Sequence, residues 1–359
     1  MNAVRHALMQ AWVGQRARDR VLAACLWPIS ALFGALVWLR RTLYQLGVLK
    51  QRVLPVPVLV VGNVLVGGVG KTPIVMALVQ HLTQQGWRVG VLSRGYGRQR
   101  DAQAPQPDIR PVLASSTAED VGDEPLLIAR SCHVPVWVGS DRASAGFALL
   151  EQHPDVQVLV CDDGLQHWPL ARDIELCVFD ERGVGNGHLL PAGPLREPWP
   201  RSAWRHPSTG NEVPMWVVQT AGQTAPGAFA VQRALASFAR QADGTQRNLQ
   251  SWGNTPVQAL AGIAKPEVFF DMLRAHGVQL AHTQALPDHA DVRGLTLNPA
   301  WGDVLCTEKD AVKLWAQHPQ AWAVPLLTEL PEPLLHAIDL ALKAAQRPKL
   351  SSPHGHKTA

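Results

Sequence analysis

Cysteine is scarce and poorly placed for metal or disulfide work. The five cysteines stand at 25, 132, 161, 177 and 306. Their number is odd and no two have metal-ligand spacing, which argues against a disulfide framework or a zinc site. Cys161 and Cys177 sit in apolar runs, where a thiol serves as a small hydrophobe, and a reducing compartment suits all five. The 14 histidines form no tight cluster. There is no zinc finger, no RNA-binding signature and no long Lys/Arg run. A net charge of +4 is too small and too dispersed to favour nucleic acid. The pI near 8.9 is still compatible with anionic lipid or a phosphorylated ligand. Internal repeats are absent. Apart from one stretch near the amino terminus, so are apolar runs long enough for a membrane.

That stretch, residues 21–39, carries no charged side chain, with Arg16, Arg18 and Arg20 before it and Arg40 and Arg41 after it. As a helix it would reach about 28 Å, close to bilayer thickness, with a kink expected at Pro28. No small-residue cleavage site follows, which argues against a signal peptide. It could span a membrane, lie in the interface or form a core helix. Basic residues on both sides give no orientation signal; membrane contact is favoured over a core helix, as a cytoplasmic-surface anchor more than a span.

An apolar content of 47% over 359 residues describes a folded chain long enough for two domains. Strand-like runs at 56–61, 88–92, 134–138, 156–161 and 174–179 alternate with helix-like segments at 73–85, 125–131 and 142–152. That rhythm predicts a parallel sheet covered by helices. Residues 191–214 read as loop and linker. A second alternating unit follows: strands at 257–263, 278–285 and 303–306, helices at 266–275, 308–317 and 333–345. The expected organisation is α/β: a membrane-associating segment over 1–52, a P-loop core over 53–213, a smaller α/β lobe over 214–345 and a disordered tail over 346–359.

Between the first strand and its helix lies Gly62-Asn63-Val64-Leu65-Val66-Gly67-Gly68-Val69-Gly70-Lys71-Thr72-Pro73. Small residues let backbone N–H groups curl around a phosphate, and the helix N-terminus adds positive potential. The expected cradle is Leu65, Val66, Gly67, Gly68, Val69, Gly70, Lys71 and Thr72. Lys71 would reach the terminal phosphates of ATP and the Thr72 hydroxyl would ligate Mg²⁺. A strict motif has glycine where this chain has Leu65; the paired Gly67-Gly68 stand in its place.

Asp162 and Asp163 end a predicted strand, at the sheet edge where α/β proteins bind ligands. Asp162 is the candidate Mg²⁺ carboxylate, unless the pair only makes an Asp-Asp-Gly turn. In Gly122-Asp123-Glu124-Pro125 either acid could take a hydroxyl proton, or both could serve a helix start. Arg94 and Arg98 on a glycine-rich loop could clamp phosphates or lie exposed. His289 could assist a base across a cleft or be an ordinary loop histidine. Thr307 and Asp310 suffice for a capping box, with Lys309 within possible reach of a phosphate.

Taken together and in this order, these motifs resemble the tetraacyldisaccharide 4′-kinase family of lipid A biosynthesis. Further carriers are Asp162-Asp163-Gly164-Leu165-Gln166-His167, Leu190-Pro191-Ala192-Gly193-Pro194-Leu195-Arg196-Glu197, Ala261-Gly262-Ile263, Asp288-His289 and Thr307-Glu308-Lys309-Asp310-Ala311-Val312-Lys313. The resemblance implies transfer of the ATP γ-phosphate to the 4′-hydroxyl of a tetraacylated disaccharide 1-phosphate, giving lipid IVA. It implies Asp123 as base with His289 as its partner, and Mg²⁺ held by Thr72 and Asp162. Arg94, Glu124, Asp163, Gln166, His167 and Arg196 become substrate-binding or supporting residues. A monomer on the cytoplasmic face of the inner membrane is expected. The departure is an apparent insertion over 202–212. The reading kept beside this one is a membrane-associated P-loop switch ATPase, against which Val66 counts because a lysine is expected there. A transferase acting on a soluble metabolite fits the apolar stretch poorly.

Overall fold

The structure is a computed structural model that describes residues 11–12, 16–99, 108–288, 290, 292 and 294–346. The apolar amino-terminal stretch lies within one 29-residue helix, α1 (Ala17–Gln45), which runs through Pro28. Its polar contacts fix one side to a loop far along the chain. Ser30 Oγ donates to the Leu189 carbonyl at 2.7 Å and Gln45 Nε2 to that of Ala203 at 3.1 Å. Arg41 lies 3.8 Å from Glu197. The other side is bare: Trp27, Ile29, Leu32, Leu36 and Trp38 are 56–64% exposed. Only 6% of its most apolar window is buried, which removes the core-helix reading.

The first sheet is built from β1 (Val58–Gly62), α2 (Lys71–Gln84), β2 (Val89–Ser93), β3 (Ile109–Pro111), α3 (Ala118–Val121), α4 (Asp123–Cys132), β4 (Val136–Gly139), α5 (Arg142–Gln152), β5 (Val158–Asp162), β6 (Ile174–Phe179), β7 (Met215–Gln219) and β8 (Phe229–Ala230). Strand order is β3-β4-β2-β5-β1-β6-β7-β8, parallel except for β3. β1, β2, β5 and β6 are buried along their whole length. Continuous apolar runs of this kind suit strands covered on both faces. Central β1 pairs with both β5 and β6, which brings the P-loop beside the end of β5.

The chain then forms β9 (Gln232–Leu235), β10 (Phe238–Arg240), β11 (Gln246–Asn248), β12 (Val257–Ala261), α6 (Pro266–Ala275), β13 (Leu280–Ala285), β14 (Val304–Thr307), α7 (Glu308–Leu314), β15 (Trp322–Val324), β16 (Leu326–Glu329) and α8 (Glu332–Ala345). A second sheet has the order β11-β10-β15-β14-β12-β13. β9 and β16 form a separate antiparallel ribbon, with Arg233 opposite Thr328. α8 returns to the first core, where Leu334, Ile338 and Leu342 are fully buried.

Two differences from the sequence expectation follow. A boundary at 213/214 would cut the first sheet, because β7 and β8 join it and α8 packs against it. The second sheet is therefore an insertion between β8 and α8. The extra residues 202–212 are not a loose excursion. Trp204, 2% exposed, stacks on Trp168 with ring centroids 6.2 Å apart. Within 191–214 there is no helix or multi-residue strand, in line with a loop. Of the expected tail, residues 347–359 lie outside the described residues.

Candidate functional site

The P-loop turns because Gly67 and Gly70 adopt φ of 94° and 79°, a region that L side chains disfavour. Gly70 is also the N-cap of α2, so Lys71 and Thr72 open the helix with their N–H groups unspent by its ladder. Leu65 and Val66 behave differently from expectation. Val66 N–H donates to the Pro194 carbonyl at 2.9 Å, and Arg196 N–H donates to Val64 at 2.7 Å. Leu65, fully buried, makes an isolated antiparallel bridge with Leu195. The Val66 amide is thus committed within the fold and is not open to a phosphate.

Lys71 Nζ donates to Asn63 Oδ1 at 3.3 Å and lies 3.5 Å from Asp163 Oδ1. Arg196 reaches the same Asp163 oxygen at 3.2 Å and also contacts the Asn63 side chain. Asp163 holds φ of 50°, unusual for a non-glycine residue. Burial opposes its ionisation, but the charges of Lys71, Arg196 and Arg142 hold its carboxyl well below the usual range. Asp162 is the opposite case. Burial, then the charges of Glu124 and Asp163, push it up to about 7, against Lys71. Its Oδ1 is buried and lacks a hydrogen-bond partner among the described residues. A carboxylate in that state calls for a cation. No group of three or more His, Cys, Asp or Glu with metal-binding geometry occurs among the described residues. The unpartnered Asp162 oxygen, with the Thr72 hydroxyl at the start of α2, is a donor set that fits Mg²⁺, which takes one or two protein oxygens beside phosphates and water.

Asp123 and Glu124 open α4, and lysines of the second sheet's α7 reach them. Lys313 Nζ donates to Asp123 Oδ2 at 3.3 Å. Lys309 Nζ lies 3.4 Å from Glu124 and 2.8 Å from Asp288. Burial favours release of the Lys309 proton, but Glu124, Asp123 and Asp288 outweigh it and raise its pKa. The capping reading of Thr307 holds in part. Thr307 Oγ1 accepts from the Asp310 N–H at 3.2 Å. The Asp310 carboxylate, however, accepts from Gly262 N–H at 2.9 Å, which ties α7 to β12. Lys309 and Lys313, four residues apart, share one face of α7. That spacing is the signal for their shared reach that the sequence carries.

The supporting residues divide. Gln166 Nε2 donates to Asn63 O at 3.0 Å and to Glu197 at 2.6 Å, placing it behind the loop. His167 packs on Arg142, and burial together with Arg142 and Arg172 lowers its pKa to about 3. Its imidazole is thereby held neutral. Arg94 is exposed and has no ion pair among the described residues, so nothing brings it to the site. Arg98 is buried against Asp108 at 2.9 Å, anchoring its loop. His289 lies outside the described residues.

A cleft of about 570 Å³ opens between the sheets, lined by Gly68 to Pro73, Glu124, Arg233, Lys265, Phe269, Asp288 and Lys309, among others. Lys265, at the start of α6, lies 3.4 Å from Asp180 and pairs with Glu181 across it. A Cβ on Gly68 would stand 3.5 Å from that of Ala264, so the second sheet's loops come close to the P-loop. One side of the cleft is thus basic and rich in unspent amides, and the other carries acids poised by lysines.

Residues 22–343 match the family described as tetraacyldisaccharide-1-P 4′-kinase. A tetraacyldisaccharide 4′-kinase of Acidovorax ebreus (strain TPSY) is 51% identical over 322 residues, covering 89% of this chain and 91% of the relative. The one from Polaromonas naphthalenivorans (strain CJ2) is 48% identical over 360 residues, covering 99% of this chain and 100% of the relative. Among solved structures, LpxK from Aquifex aeolicus in complex with ATP aligns with a TM-score of 0.73 at 29% identity. That alignment covers 89% of this chain and 99% of the other.

Proposed function

The chain belongs to the tetraacyldisaccharide-1-P 4′-kinase family, and from that premise we propose how its cleft performs the family reaction. The reaction moves the γ-phosphoryl group of ATP to the 4′-hydroxyl of a tetraacyldisaccharide 1-phosphate, yielding ADP and lipid IVA in lipid A biosynthesis. The family match sets aside the switch-ATPase alternative. The observation that supports the cleft assignment is the meeting of Lys71, Asp162 and Asp163 at the sheet's carboxyl edge with Asp123 and Glu124.

ATP lies with its polyphosphate on the amides of residues 67–72. Lys71 neutralises charge on the transferred group. Asn63 and Asp163 hold its ammonium in place, and Arg196 and Gln166 hold Asn63 from behind. Thr72 and Asp162 are the residues that would hold Mg²⁺, which when bound offsets charge on the β- and γ-phosphates. Asp123 accepts the 4′-hydroxyl proton as oxygen attacks phosphorus. His289 is proposed as its partner on the family pattern. Lys313 steadies the Asp123 carboxylate before substrate arrives. Approach of the second sheet excludes water, which would otherwise take the phosphoryl group.

The membrane reading rests on α1. Its exposed apolar face suits a bilayer, while its polar contacts from residue 30 to residue 45 are spent on the protein. One face of the helix being tied to the protein favours an anchor in the interface over a free span. The cytoplasmic face of the inner membrane is where ATP is available, and a single chain suffices to build the cleft. The direct test is incubation of the full chain with labelled ATP and acylated disaccharide 1-phosphate in detergent. Label should move to the lipid and require Mg²⁺; recovery of label only as inorganic phosphate would reject the assignment.

A further inference from the structure

Two arginines overlie the phosphate loop, and their circumstances differ. Arg182 is saturated. Its Nη1 donates to Val66 O at 3.2 Å, its Nη2 to Gly68 O at 3.1 Å and its Nε to Asp180 at 2.9 Å. It holds the loop in shape. Arg233 comes from the β9–β16 ribbon and lines the cleft. Its Nη1 is so near Gly70 that a Cβ there would stand 2.8 Å from it. Its side chain forms no hydrogen bond or ion pair among the described residues. It is half-buried, and the charge it feels from Asp180 does not offset the loss of solvent.

A guanidinium stays protonated, so partial desolvation without a partner is a standing cost. A polyanion in the cleft removes that cost. Gly70 stands at the N-terminus of α2, where backbone amides and the helix dipole already favour phosphate. The planar fork of arginine matches phosphate oxygens. The apolar lining of Leu235, Val268, Phe269 and Leu326 suits a base rather than a charge. We propose that Arg233 binds the polyphosphate of ATP, so that the ribbon joining the two sheets is itself part of the nucleotide site. This rests on reading the cleft as the ATP site.

The test compares Arg233→Gln, Arg233→Lys and Lys71→Ala with the unaltered full-length protein. ATP affinity is measured by calorimetry, adenosine affinity by competition, and kinetics at saturating lipid; thermal midpoints check folding. Arg233→Gln should weaken ATP about 10- to 100-fold, the scale of a charge-assisted hydrogen bond, with adenosine changed less than about twofold. KM for ATP should rise while kcat stays within about threefold, and Arg233→Lys should recover part of the loss. ATP affinity within about twofold in Arg233→Gln, or equal losses for ATP and adenosine, overturns the proposal. Should Lys71→Ala weaken ATP while Arg233→Gln does not, only the Arg233 assignment fails. Should neither weaken it, the cleft reading fails too.

Discussion

Single residues in this chain act through what surrounds them. Asp123 sits at a helix start 3.3 Å from Lys313, so its carboxylate is held without being consumed by the helix. Asp123→Ala should lower phosphoryl transfer by about 10²- to 10⁴-fold, the usual contribution of a general base, with ATP affinity nearly unchanged. Full transfer in that variant would remove Asp123 as the base. Glu175 bears on stability rather than chemistry. It lies 3.1 Å from Arg172 and 2.6 Å from Arg201, and all three are buried. Glu175→Gln leaves two buried guanidinium groups short of charge and should cost about 3–5 kcal/mol in denaturant unfolding. The sequence displayed the candidate phosphate-binding residues because Gly, Lys, Thr and strand-end Asp have chemical reasons to stand in that order. It did not display Glu175, whose partners lie 3 and 26 residues away. Nor did it show that Val66 gives its amide to Pro194.

At the scale of elements, legibility followed burial. Helix 142–152 and strand 174–179 have the bounds their patterns implied, and the strands on either side of the P-loop differ by two residues at most. β9 and β11 escaped notice because they run over only three or four residues, alternate between exposed and half-buried positions apart from buried Leu235, and carry mostly polar side chains. Their pairing, not their composition, makes them strands. α1 was visible by length and apolarity, but which face would be bare depends on a loop at 189–203 that no local pattern announces. Replacing Leu32, Leu36 and Trp38 with Ser removes apolar side chains without touching Ser30, Arg41 or Gln45. Membrane affinity should drop by at least about tenfold in vesicle flotation, since each such side chain is worth about 1.5–3 kcal/mol when fully buried. Unchanged flotation would show that another surface holds the protein to the bilayer.

At the scale of the molecule, three lysines of the insertion meet acids of the first sheet. They differ in solvent contact, which orders their effects. Lys265 and Glu181 are 39% and 43% exposed, so that pair is weak. Lys265→Ala should change ATP affinity by less than about fivefold. Lys309 is more enclosed and serves Glu124 and Asp288 together. Lys309→Met leaves two acids facing each other across the cleft and should lower kcat more than about tenfold. A kcat for Lys309→Met no lower than that of Lys265→Ala, measured at saturating ATP and lipid, would mean that the lysines serve only general attraction between the sheets.

The chain enters the insertion along β9 and leaves it along β16, and these two strands pair side by side. A body hung on one flexible strand can swing and twist in any direction. One hung on a paired ribbon resists twisting about the ribbon and bends across it, like a door on a strip hinge. Motion of the second sheet is thereby reduced to nearly one degree of freedom. Any movement of the second sheet would then carry Lys309 and Lys313 along one arc, so that their aim at the acids would be inherited from the hinge instead of being searched for anew.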